Sequence, residues 1–415
     1  MATLQETCLL ITDGKHGDCQ NEEASGFYFI SCKDVKDGWI DYSGARQITE
    51  KDYLDTDKRT QLEPNDILIT NSGTIGRMVL VNDVPETSRT TFQKSVAIIK
   101  PNLQKVFPQW LFYSLLANRP TLISWAGGTA QKNLLLRDLR AFDINISPFP
   151  TQEKIAAILS AYDDLIENNL RRIKILEEMA QNLYREWFVK FRFPGHQKVK
   201  MVNSPLGKIP EGWEVAEFDK MADLSRQSVN PQEKPEKIFV HFSIPSFDTG
   251  QLPTLEKGAE IKSLKFYVPE ECVLLSKLNP RIRRVWLPDP PDGYTATTST
   301  EFLVLVPKAP FGREFLYSVC MTPKFTDTLA GFAGGTSTSH QRVKPEDVLR
   351  LKLPIPDAKI LGPFDKIVSP MVSLSSSLRR RNQNLRQTRD LLLPKLISGE
   401  LDVSELDITI PEANA

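Results

Sequence analysis

The chain has 415 residues, 40% of them hydrophobic, and its 52 basic and 52 acidic side chains give a formal net charge of zero at pH 7. No apolar run approaches the roughly 20 residues that a membrane-spanning helix needs, and no signal peptide is visible, so we expect a cytoplasmic protein of two to three domains. A neutral chain does not coat DNA through bulk charge, whereas sequence-specific binding needs only local positive faces.

The first half of the chain opens with three of the five cysteines, and they form no recognised pattern. Cys8, His16, Cys19 and Cys32 have the atom types of a metal site, but their spacing matches no zinc motif. Buried thiols and a loop histidine are the other interpretation. With Cys272 and Cys320 the number of cysteines is odd and no Cys-x-x-Cys pair occurs, so we expect no disulfide framework.

Short β-like runs and a short helix follow. Asp66–Thr70 and Val96–Ile99 are apolar runs bounded by turn residues, which predicts strands. Gln109–Ala117 has the periodicity of an amphipathic helix. Two polar segments that contain glycine, residues 72–77 and 127–133, predict turns or loops. The mixture indicates a module of α plus β class.

The next segment differs in kind, because the chain from Thr151 to about Phe191 contains no Gly or Pro. Its apolar residues recur at alternating spacings of 4 and 3, which predicts the seam of a coiled coil. A helix of about 41 residues at 1.5 Å per residue is about 60 Å long. The predicted seam positions are Ile155, Leu159, Tyr162, Ile166, Asn169, Ile173, Leu176, Ala180, Leu183 and Trp187.

A connector rich in Pro, Gly and Lys, residues 194–213, leads into a second half that has the same kinds of element. Cys272–Leu275 and Phe302–Val306 predict strands, and Arg313–Cys320 predicts a helix. Between the strands lies the sharpest basic cluster of the chain, which consists of Lys277, Asn279, Arg281, Arg283 and Arg284.

A second long helix is predicted from near Gly362-Pro363 to Ser398-Gly399, with Pro394 kinking or ending it. Each long helix can hide the seam of the other, in antiparallel direction if the modules are related by a pseudo-twofold axis. Polar Asn169 and Arg381 either fix the register of the pair or lie at frayed or partner-facing positions. The predicted seam positions are Ile367, Met371, Leu374, Leu378, Arg381, Leu385, Thr388 and Leu392.

The two halves repeat one another in order. Pro148-Phe149-Pro150 returns as Pro354-Ile355-Pro356, a shift of 206 positions, and Ala126–Thr129 returns as Ala333–Thr336, a shift of 207. The strand at Asp66 and the helix at Gln109 recur at similar shifts. This period is too long for a solenoid and fits two copies of one module. Such a protein suits a partner that also has two halves, and duplex DNA with two half-sites is the leading candidate.

Motifs for catalysis are missing. Asp289-Pro290-Pro291-Asp292 approaches a methyltransferase tetrad, but its fourth residue is acidic and no glycine-rich strand–turn–helix precedes it, so a proline-stiffened turn is the better interpretation. No Walker A loop occurs. The four histidines have no metal spacing and no nucleophile partner; they are His16, His196, His241 and His340.

Several motifs, in this order along nearly the whole chain, resemble those of specificity subunits of type I restriction–modification systems. The second half departs from the family pattern, with Lys277–Arg281 in place of the glycine turn and Asp357–Lys359 in place of Gln152–Lys154. The motifs that carry the resemblance are Asp13–Gly17, Asp66–Thr70 with Ser72–Arg77, Pro148–Pro150 with Gln152–Ala156, Leu183–Phe188, Leu206–Glu214 and Leu393–Leu401.

The resemblance implies an α+β protein with two pseudo-repeated target-recognition domains joined by a long antiparallel two-helix coiled coil. The first domain would span residues 1–147 and the second 214–353. The remaining segments would be a central spacer helix at 148–193, a connector at 194–213, a distal spacer helix at 354–402 and a tail at 403–415.

The resemblance also implies partners and cofactors. The chain would bind double-stranded DNA, each domain reading one half of an asymmetric site, and would dock two methyltransferase subunits and motor-restriction subunits. The chain itself would hold no cofactor or metal and perform no chemistry. S-adenosylmethionine, ATP and Mg²⁺ would bind in the partner subunits, and adenine would be methylated.

The candidate DNA contacts are polar and basic side chains on the predicted loops. Hydroxyls and backbone amides near glycine can approach phosphates, amide side chains can pair with adenine, and arginine can pair with guanine. An ordinary hairpin turn or a solvated basic face remains the other interpretation of these segments. The candidates are Ser72, Thr74, Arg77, Thr129, Gln131, Lys132, Asn133, Lys277, Asn279, Arg281, Arg283, Arg284, Thr336, Ser337, Thr338, His340, Gln341 and Arg342.

Two other functions fit parts of the sequence. One is a scaffold with two interaction modules on a coiled coil and no role in DNA binding. The other is a DNA-binding subunit of the same type in a different defence system.

Overall fold

The computed structural model describes residues 1–128, 132–334 and 341–410. The chain divides into two compact units, and the division falls inside both long helices. Unit 1 comprises Met1–Leu165 and Leu385–Ala415, and unit 2 comprises Ile166–Asn384. Both units mix helix and sheet, so the predicted α+β class is confirmed.

Unit 1 is built on a four-stranded antiparallel sheet with strand order β2-β8-β5-β6 and a three-stranded sheet with order β4-β3-β7. Strands β1 and β9 form a separate antiparallel pair. The strands are β1 (Ala2–Thr3), β2 (Cys8–Asp13), β3 (Tyr28–Ile30), β4 (Arg46–Gln47), β5 (Ile67–Thr70), β6 (Met78–Leu80), β7 (Thr90–Phe92), β8 (Val96–Pro101) and β9 (Asp143–Ile144). The helices that begin in unit 1 are α1 (Leu4–Thr7), α2 (Glu50–Thr60), α3 (Pro108–Ala117), α4 (Arg119–Ser124), α5 (Leu136–Arg140) and α6 (Phe149–Tyr184).

Unit 2 repeats this plan with a four-stranded antiparallel sheet of order β13-β21-β18-β19 and a five-stranded sheet of order β14-β17-β20-β15-β16. Its strands are β10 (Met201–Ser204), β11 (Gly207–Pro210), β12 (Glu214–Glu217), β13 (Ala222–Ser225), β14 (Ser228–Val229), β15 (Ile238–Phe242), β16 (Thr254–Lys257), β17 (Lys265–Tyr267), β18 (Val273–Ser276), β19 (Val285–Trp286), β20 (Thr295–Thr298), β21 (Phe302–Pro307) and β22 (Lys352–Ile355). The helices that begin here are α7 (Ile244–Asp248), α8 (Arg313–Cys320), α9 (Pro323–Phe332), α10 (Pro345–Leu349) and α11 (Ala358–Ser398).

The predicted strands are confirmed, and burial explains their continuous apolar runs. In β5, Ile67 and Ile69 face a core that includes α3 and parts of both long helices, while Leu68 faces a second core toward β3 and β7. In β18, Val273 and Leu275 face one core and Leu274 faces another. A strand buried on both faces loses the alternation of polar and apolar residues.

The repeat also extends to strand pairing. The central pair β5–β8 of unit 1 is antiparallel, as is β18–β21 of unit 2, and each unit has one parallel pair, β3–β7 or β15–β20. The short helices at the predicted positions are present as α3 and α8. The duplication read from the sequence is therefore confirmed in the topology of the two units.

Within unit 2, the segments of α6 and α11 pack in opposite directions. Glu177 pairs with Arg379, and the carbonyl of Ile166 accepts a hydrogen bond of 3.2 Å from the Asn382 amide. Asn169 donates to the side-chain oxygen of Asn382 at 2.8 Å, and both side chains are buried. Asn169 therefore pairs with an amide and not with the predicted seam residue Arg381, which is exposed.

The predicted seam of the first helix lies in a buried or half-buried stripe at every named position. The predicted register of the second helix is wrong at Ile367 and Leu374, which are 42% and 38% exposed, and at Arg381 and Thr388, which are also exposed. The reason is that two buried positions of the stripe, Ser375 and Asn382, are polar, so a pattern of apolar residues misses them. The remaining predicted seam residues Met371, Leu378, Leu385 and Leu392 are buried or half-buried.

Within unit 1, the α6 segment packs on the C-terminal part of α11, where Ile155 and Leu159 share a core with Leu393 and Leu396. Asp163 of α6 accepts a hydrogen bond of 2.6 Å from the Tyr113 hydroxyl of α3 and pairs with Arg389 of α11. Pro394 does not end α11, contrary to one predicted alternative, because the helix continues to Ser398 and ends at Gly399, whose φ of +79° suits glycine.

Candidate nucleic-acid interface

The structure brings together the two predicted loops of each unit, which we name by their anchors. The strand loop follows the first strand of the central pair, β5 or β18, at residues 71–77 in unit 1 and 277–284 in unit 2. The glycine loop contains the repeated Gly-Gly-Thr sequence, at residues 127–133 and 334–342. Backbone hydrogen bonds join described residues of the two loops in both units.

In unit 1 the strand loop and the glycine loop meet through a bridge between Ser72 and Asn133. The amide of Leu134 donates to the carbonyl of Asn71 at 2.8 Å. The ends of the glycine loop also bind each other, since Asn133 donates to the Gly127 carbonyl at 2.8 Å. These bonds hold both loops at the end of strand β5.

Unit 2 repeats the arrangement with different residues. Leu278 of the strand loop forms a bridge with Arg342 of the glycine loop, and the Asn279 amide donates to the Gln341 carbonyl at 2.7 Å. The Val343 amide donates to the Lys277 carbonyl at 3.0 Å. The two loop pairs are thus equivalent in the fold although their sequences differ.

A buried hydroxyl at the end of the strand fixes each strand loop. In unit 1 the Thr70 hydroxyl accepts from the Arg77 amide at 2.9 Å and donates to the carbonyl of Thr74. In unit 2 the Ser276 hydroxyl donates to the Leu278 carbonyl at 3.1 Å and accepts from its amide at 3.2 Å. Because Thr70 and Ser276 are 206 positions apart, this device was duplicated with the module.

The glycines of the unit 1 strand loop are required by its shape. Gly73 and Gly76 have φ of +74° and +85°, a region that residues with a side chain rarely adopt. A Cβ at Gly73 would lie 2.8 Å from the Cys32 sulfur, and one at Gly76 would lie 2.9 Å from the Ile123 side chain. Helix α4, which carries Ile123, therefore packs directly under the loop.

The candidate DNA-contacting side chains of unit 1 differ in their solvent exposure. Thr74 and Lys132 are exposed, and Lys132 forms no ion pair with any residue that the structure describes. Ser72 is half-buried, and the half-buried Arg77 donates to the Val35 carbonyl at 3.4 Å. The predictions for Thr129 and Gln131 lie outside the described residues.

The basic cluster of unit 2 separates into cations with and without internal partners. Arg284 forms two hydrogen bonds with Asp248, of 2.7 and 2.8 Å, and the Arg283 guanidinium donates to the Thr326 hydroxyl at 3.1 Å. Arg281 is exposed and Lys277 is half-exposed, and neither makes an ion pair within the described parts of the chain. Arg281 and Lys277 are therefore the cations that a nucleic acid can engage at least cost.

The glycine loop of unit 2 carries a further ion pair. Arg342 binds Glu301 at 3.0 Å, and this carboxylate raises the pKa of the guanidinium. Gln341 bonds to Asn279 through its backbone carbonyl. Asn279 has φ of +49°, a conformation that asparagine tolerates better than most residues. The predictions for Thr336, Ser337, Thr338 and His340 lie outside the described residues.

A third segment of unit 1, which the sequence did not suggest, belongs to the same surface. The turn at residues 34–41 is tied to strand β6, because the Gly38 amide donates to the Met78 carbonyl at 2.9 Å. Asp37 of this turn forms two hydrogen bonds with Arg119 of α4, of 2.6 and 3.2 Å. Trp39 at its tip is 54% exposed. A Lys-Asp-Gly sequence signals a turn, but no sequence pattern reveals that a following indole faces solvent.

The motifs set aside in the sequence have structural roles. Asp289 of the Asp-Pro-Pro-Asp segment lies between β19 and β20 and pairs with Arg380 of α11. Arg379 and Arg380 thus both bind carboxylates of their own chain. In the part of the chain that the structure describes, no group of three His, Cys, Asp or Glu residues could hold a metal ion. No described helix has the length and apolar composition to cross a membrane.

Similar proteins agree on one family. Residues 17–178 match the family model of the type I restriction modification DNA specificity domain. A type I restriction enzyme specificity subunit of Methanocaldococcus jannaschii, MjaIX, is 26% identical over 384 residues, which cover 88% of this chain and 83% of the relative. The HindI specificity subunit of Haemophilus influenzae is 25% identical over 375 residues, covering 73% and 80%.

A solved structure shares the fold. The crystal structure of the S subunit of a type I restriction–modification system from M. genitalium superposes with a TM-score of 0.59 at 14% identity, and the match covers 95% of each chain. Because the identity is low, this likeness concerns the fold of the chain and not its contacts.

Proposed function

We propose that this chain, which belongs to the family of type I restriction–modification specificity subunits, reads a split DNA site with one half-site for each unit. The observation that supports the proposal best is the repeated pairing of strand loop and glycine loop at the same place in both units. Two equivalent surfaces with different residues suit two half-sites of different sequence. Phosphate contacts would position each unit, and base contacts would specify its half-site.

The long helices would set the number of unread base pairs between the half-sites. We propose that they form an antiparallel coiled coil, with the recognition domains at 1–147 and 214–353 and the spacer helices at 148–193 and 354–402. The opposed helix directions in unit 2 and the buried Asn169–Asn382 pair support this. A rod of about 60 Å can span one turn of DNA, which is about 34–36 Å.

The chemistry would reside in partners. The relatives are named as specificity subunits of type I restriction enzymes, and we propose that this chain likewise docks two methyltransferase subunits and motor-restriction subunits. S-adenosylmethionine, ATP and Mg²⁺ would bind there, while this chain supplies recognition without catalysis. The complex would act in the cytoplasm on double-stranded DNA.

Sequencing of modified bases in host DNA tests the proposal, with the gene present and deleted. We expect methylated adenine in a bipartite motif with a fixed unread gap, lost on deletion and restored by the gene. Purification of the tagged chain is expected to recover a methyltransferase. A scaffold without a role in DNA binding would leave the methylation pattern unchanged on deletion, and that result would refute the proposal.

A further inference from the structure

The tip of the turn at residues 34–41 holds an exposed indole on a rigid support. Val35 is fully buried and forms a bridge with Ile40, and the Asp41 amide donates to the Asp34 carbonyl at 2.8 Å. The Lys36 amide donates to the Trp39 carbonyl at 2.9 Å, which closes the turn. The backbone at Trp39 is therefore fixed before any ligand arrives.

Two residues of the turn, Gly38 and Asp37, join it to its neighbours in unit 1. Gly38 bonds to Met78 at the start of β6, and Asp37 forms its two hydrogen bonds with Arg119 of α4. Helix α4 packs under the strand loop at Gly76. The turn is thus joined, through β6 and α4, to the strand loop of unit 1.

The carboxylates of the turn that carries the indole are held by neighbouring groups of unit 1. All three carboxylates of the turn are occupied: Asp34 accepts from Ser31 at 2.8 and 2.9 Å, Asp37 binds Arg119, and Asp41 accepts from Ser43. Lys33 is exposed and makes no ion pair among the described residues. The turn therefore presents an exposed apolar ring on a tip whose carboxylates are held in place by neighbouring side chains.

We propose that Trp39 is a specificity-determining residue of unit 1 that packs its indole against base edges of the DNA half-site. The inference rests on the proposed function and names one contact within it. Large apolar side chains contact the thymine methyl group in the major groove or wedge between base steps. A side chain of this size that is 54% exposed on a rigid tip has the apolar area for such a contact.

Among the residues of unit 2 that the structure describes, no tryptophan is exposed as Trp39 is. There α7 supplies Asp248 to bind Arg284, and Phe247 packs edge-on against Trp286, which is 5% exposed, with ring centroids 5.5 Å apart. The apolar contact is therefore expected in the half-site that unit 1 reads and not in the other.

The test uses the full chain in complex with its methyltransferase subunits and a duplex that carries the motif found by modified-base sequencing. Two further duplexes have one or the other half-site scrambled. We expect Trp39→Ala to weaken binding of the intact motif by about ten-fold, or about 1.4 kcal/mol, because the apolar contact with the base edges is lost. Discrimination should fall for the half-site of unit 1 only. Trp39→Phe should retain most of the affinity.

The salt dependence separates this contact from a phosphate contact. Because Trp39→Ala removes no charge, its loss of affinity should be the same at low and high salt. Leu54→Ala is the matched control, because Leu54 is 53% exposed on α2 of the same unit, and it should bind as the parent does. Thermal unfolding of Trp39→Ala should match the parent.

Suppose that the parent complex binds its motif. The inference is then wrong if Trp39→Ala has the same affinity and discrimination as the parent, or if it loses discrimination equally for both half-sites. A lowered unfolding midpoint with intact discrimination would equally show a structural role. If the parent complex reads no motif at all, the proposed function itself fails, and the inference fails with it.

Discussion

Unit 1 and unit 2 hold the same two loops in place but offer different chemistry on them. In unit 1 the strand loop is a tight turn with two glycines of positive φ, and the surface exposes Lys132 and the Trp39 indole. In unit 2 the strand loop is rich in arginine, with Arg284 bound to Asp248 and Arg281 exposed.

The comparison shows how two copies of one DNA-recognition module can diverge. The parts that fix the loops are backbone bonds and the buried hydroxyls of Thr70 and Ser276, and these recur in both units. The side chains that face solvent do not hold the loops in place, so they can change without loss of the fold. Two units can therefore keep one framework and recognise different sequences.

The largest expected effect comes from lengthening the two long helices between the units. Duplicating Leu159–Leu165 in α6 and Leu378–Asn384 in α11 inserts one heptad into each helix at the point where the units divide. Seven residues add about 10 Å to each helix, which is the length of about three base pairs. The methylated motif should therefore keep both half-sites, and the unread gap between them should grow by about three base pairs.

Modified-base sequencing of the host measures this change. Duplicating the heptad in α6 alone is the control. It makes the two helices unequal in length, so their packing should fail and methylation should be lost. An unchanged gap after the paired insertion would show that the helices do not set the distance between two independent readers.

The next effect separates the two units by charge. Arg281→Ala should weaken recognition of the unit 2 half-site by about 1–3 kcal/mol if the guanidinium reads a guanine, and Lys132→Ala should weaken only the unit 1 half-site. Binding to duplexes with one scrambled half-site, at low and at high salt, distinguishes the two. Arg283→Ala should have a smaller effect in the same half-site, because that side chain already donates to Thr326.

Arg284→Ala provides the matched control for Arg281→Ala. Arg284 has a side chain only 10% exposed and bound to Asp248, so its loss should lower the unfolding midpoint. If Arg284→Ala alters base preference without lowering stability, the division of the cluster into free and structural cations is wrong.

A smaller effect concerns the buried amide pair of unit 2. Asn169→Leu leaves the side-chain oxygen of Asn382 buried without its donor, although the Asn382 amide nitrogen still donates to the Ile166 carbonyl. The unpaired oxygen costs about 1–3 kcal/mol. The double variant Asn169→Leu/Asn382→Leu removes both polar groups and should recover that stability. Urea unfolding of the two variants measures the difference; a double variant less stable than the single one would contradict the prediction.

The smallest effect is the pH dependence that Asp365 of α11 gives to unit 2. Burial, and then the neighbouring Glu314 carboxylate, raise the pKa of Asp365 to about 6, although the Phe315 amide opposes this. Since the pKa in the unfolded chain is near 3.8, the ionised group destabilises the fold above about pH 6, and this loss shrinks as the pH falls. Because the group is partly exposed, the effect should be on the order of 1 kcal/mol.

Asp365→Asn tests the sign of this dependence. The variant should be more stable than the parent at pH 8, and the difference should shrink below pH 6, as measured by thermal unfolding. A difference that grows as the pH falls would mean that the carboxylate is stabilised in the fold. Unit 1 has the neutral Gln152 in a similar role, where it accepts from the Phe107 amide at 2.8 Å.

Much of the fold could be predicted from the sequence because it depends on local signals. The central strands are apolar runs since both their faces are buried, and the strand loop of unit 1 is marked by its glycines. The repeat made the second unit predictable from the first. The stripe of α6 was readable because nearly all its buried residues are apolar.

The rest depends on contacts between distant residues. Asp248 lies 36 positions from Arg284, and Glu301 lies 41 positions from Arg342, so no local pattern reveals that these arginines are paired. A pattern of apolar residues gives the wrong register for α11 because the buried residues Ser375 and Asn382 are polar. Trp39 was missed because its exposure depends on how the whole turn is supported.

Photocrosslinking from one position in each unit tests the central claim most directly. A photoreactive residue replaces Lys132 in one complex and Arg281 in another, and the crosslinked bases are mapped on a duplex that carries the methylated motif. Crosslinks from Lys132 should fall in one half-site and those from Arg281 in the other, with the unread gap between them. Crosslinks from both positions in the same half-site would contradict the assignment of one half-site to each unit.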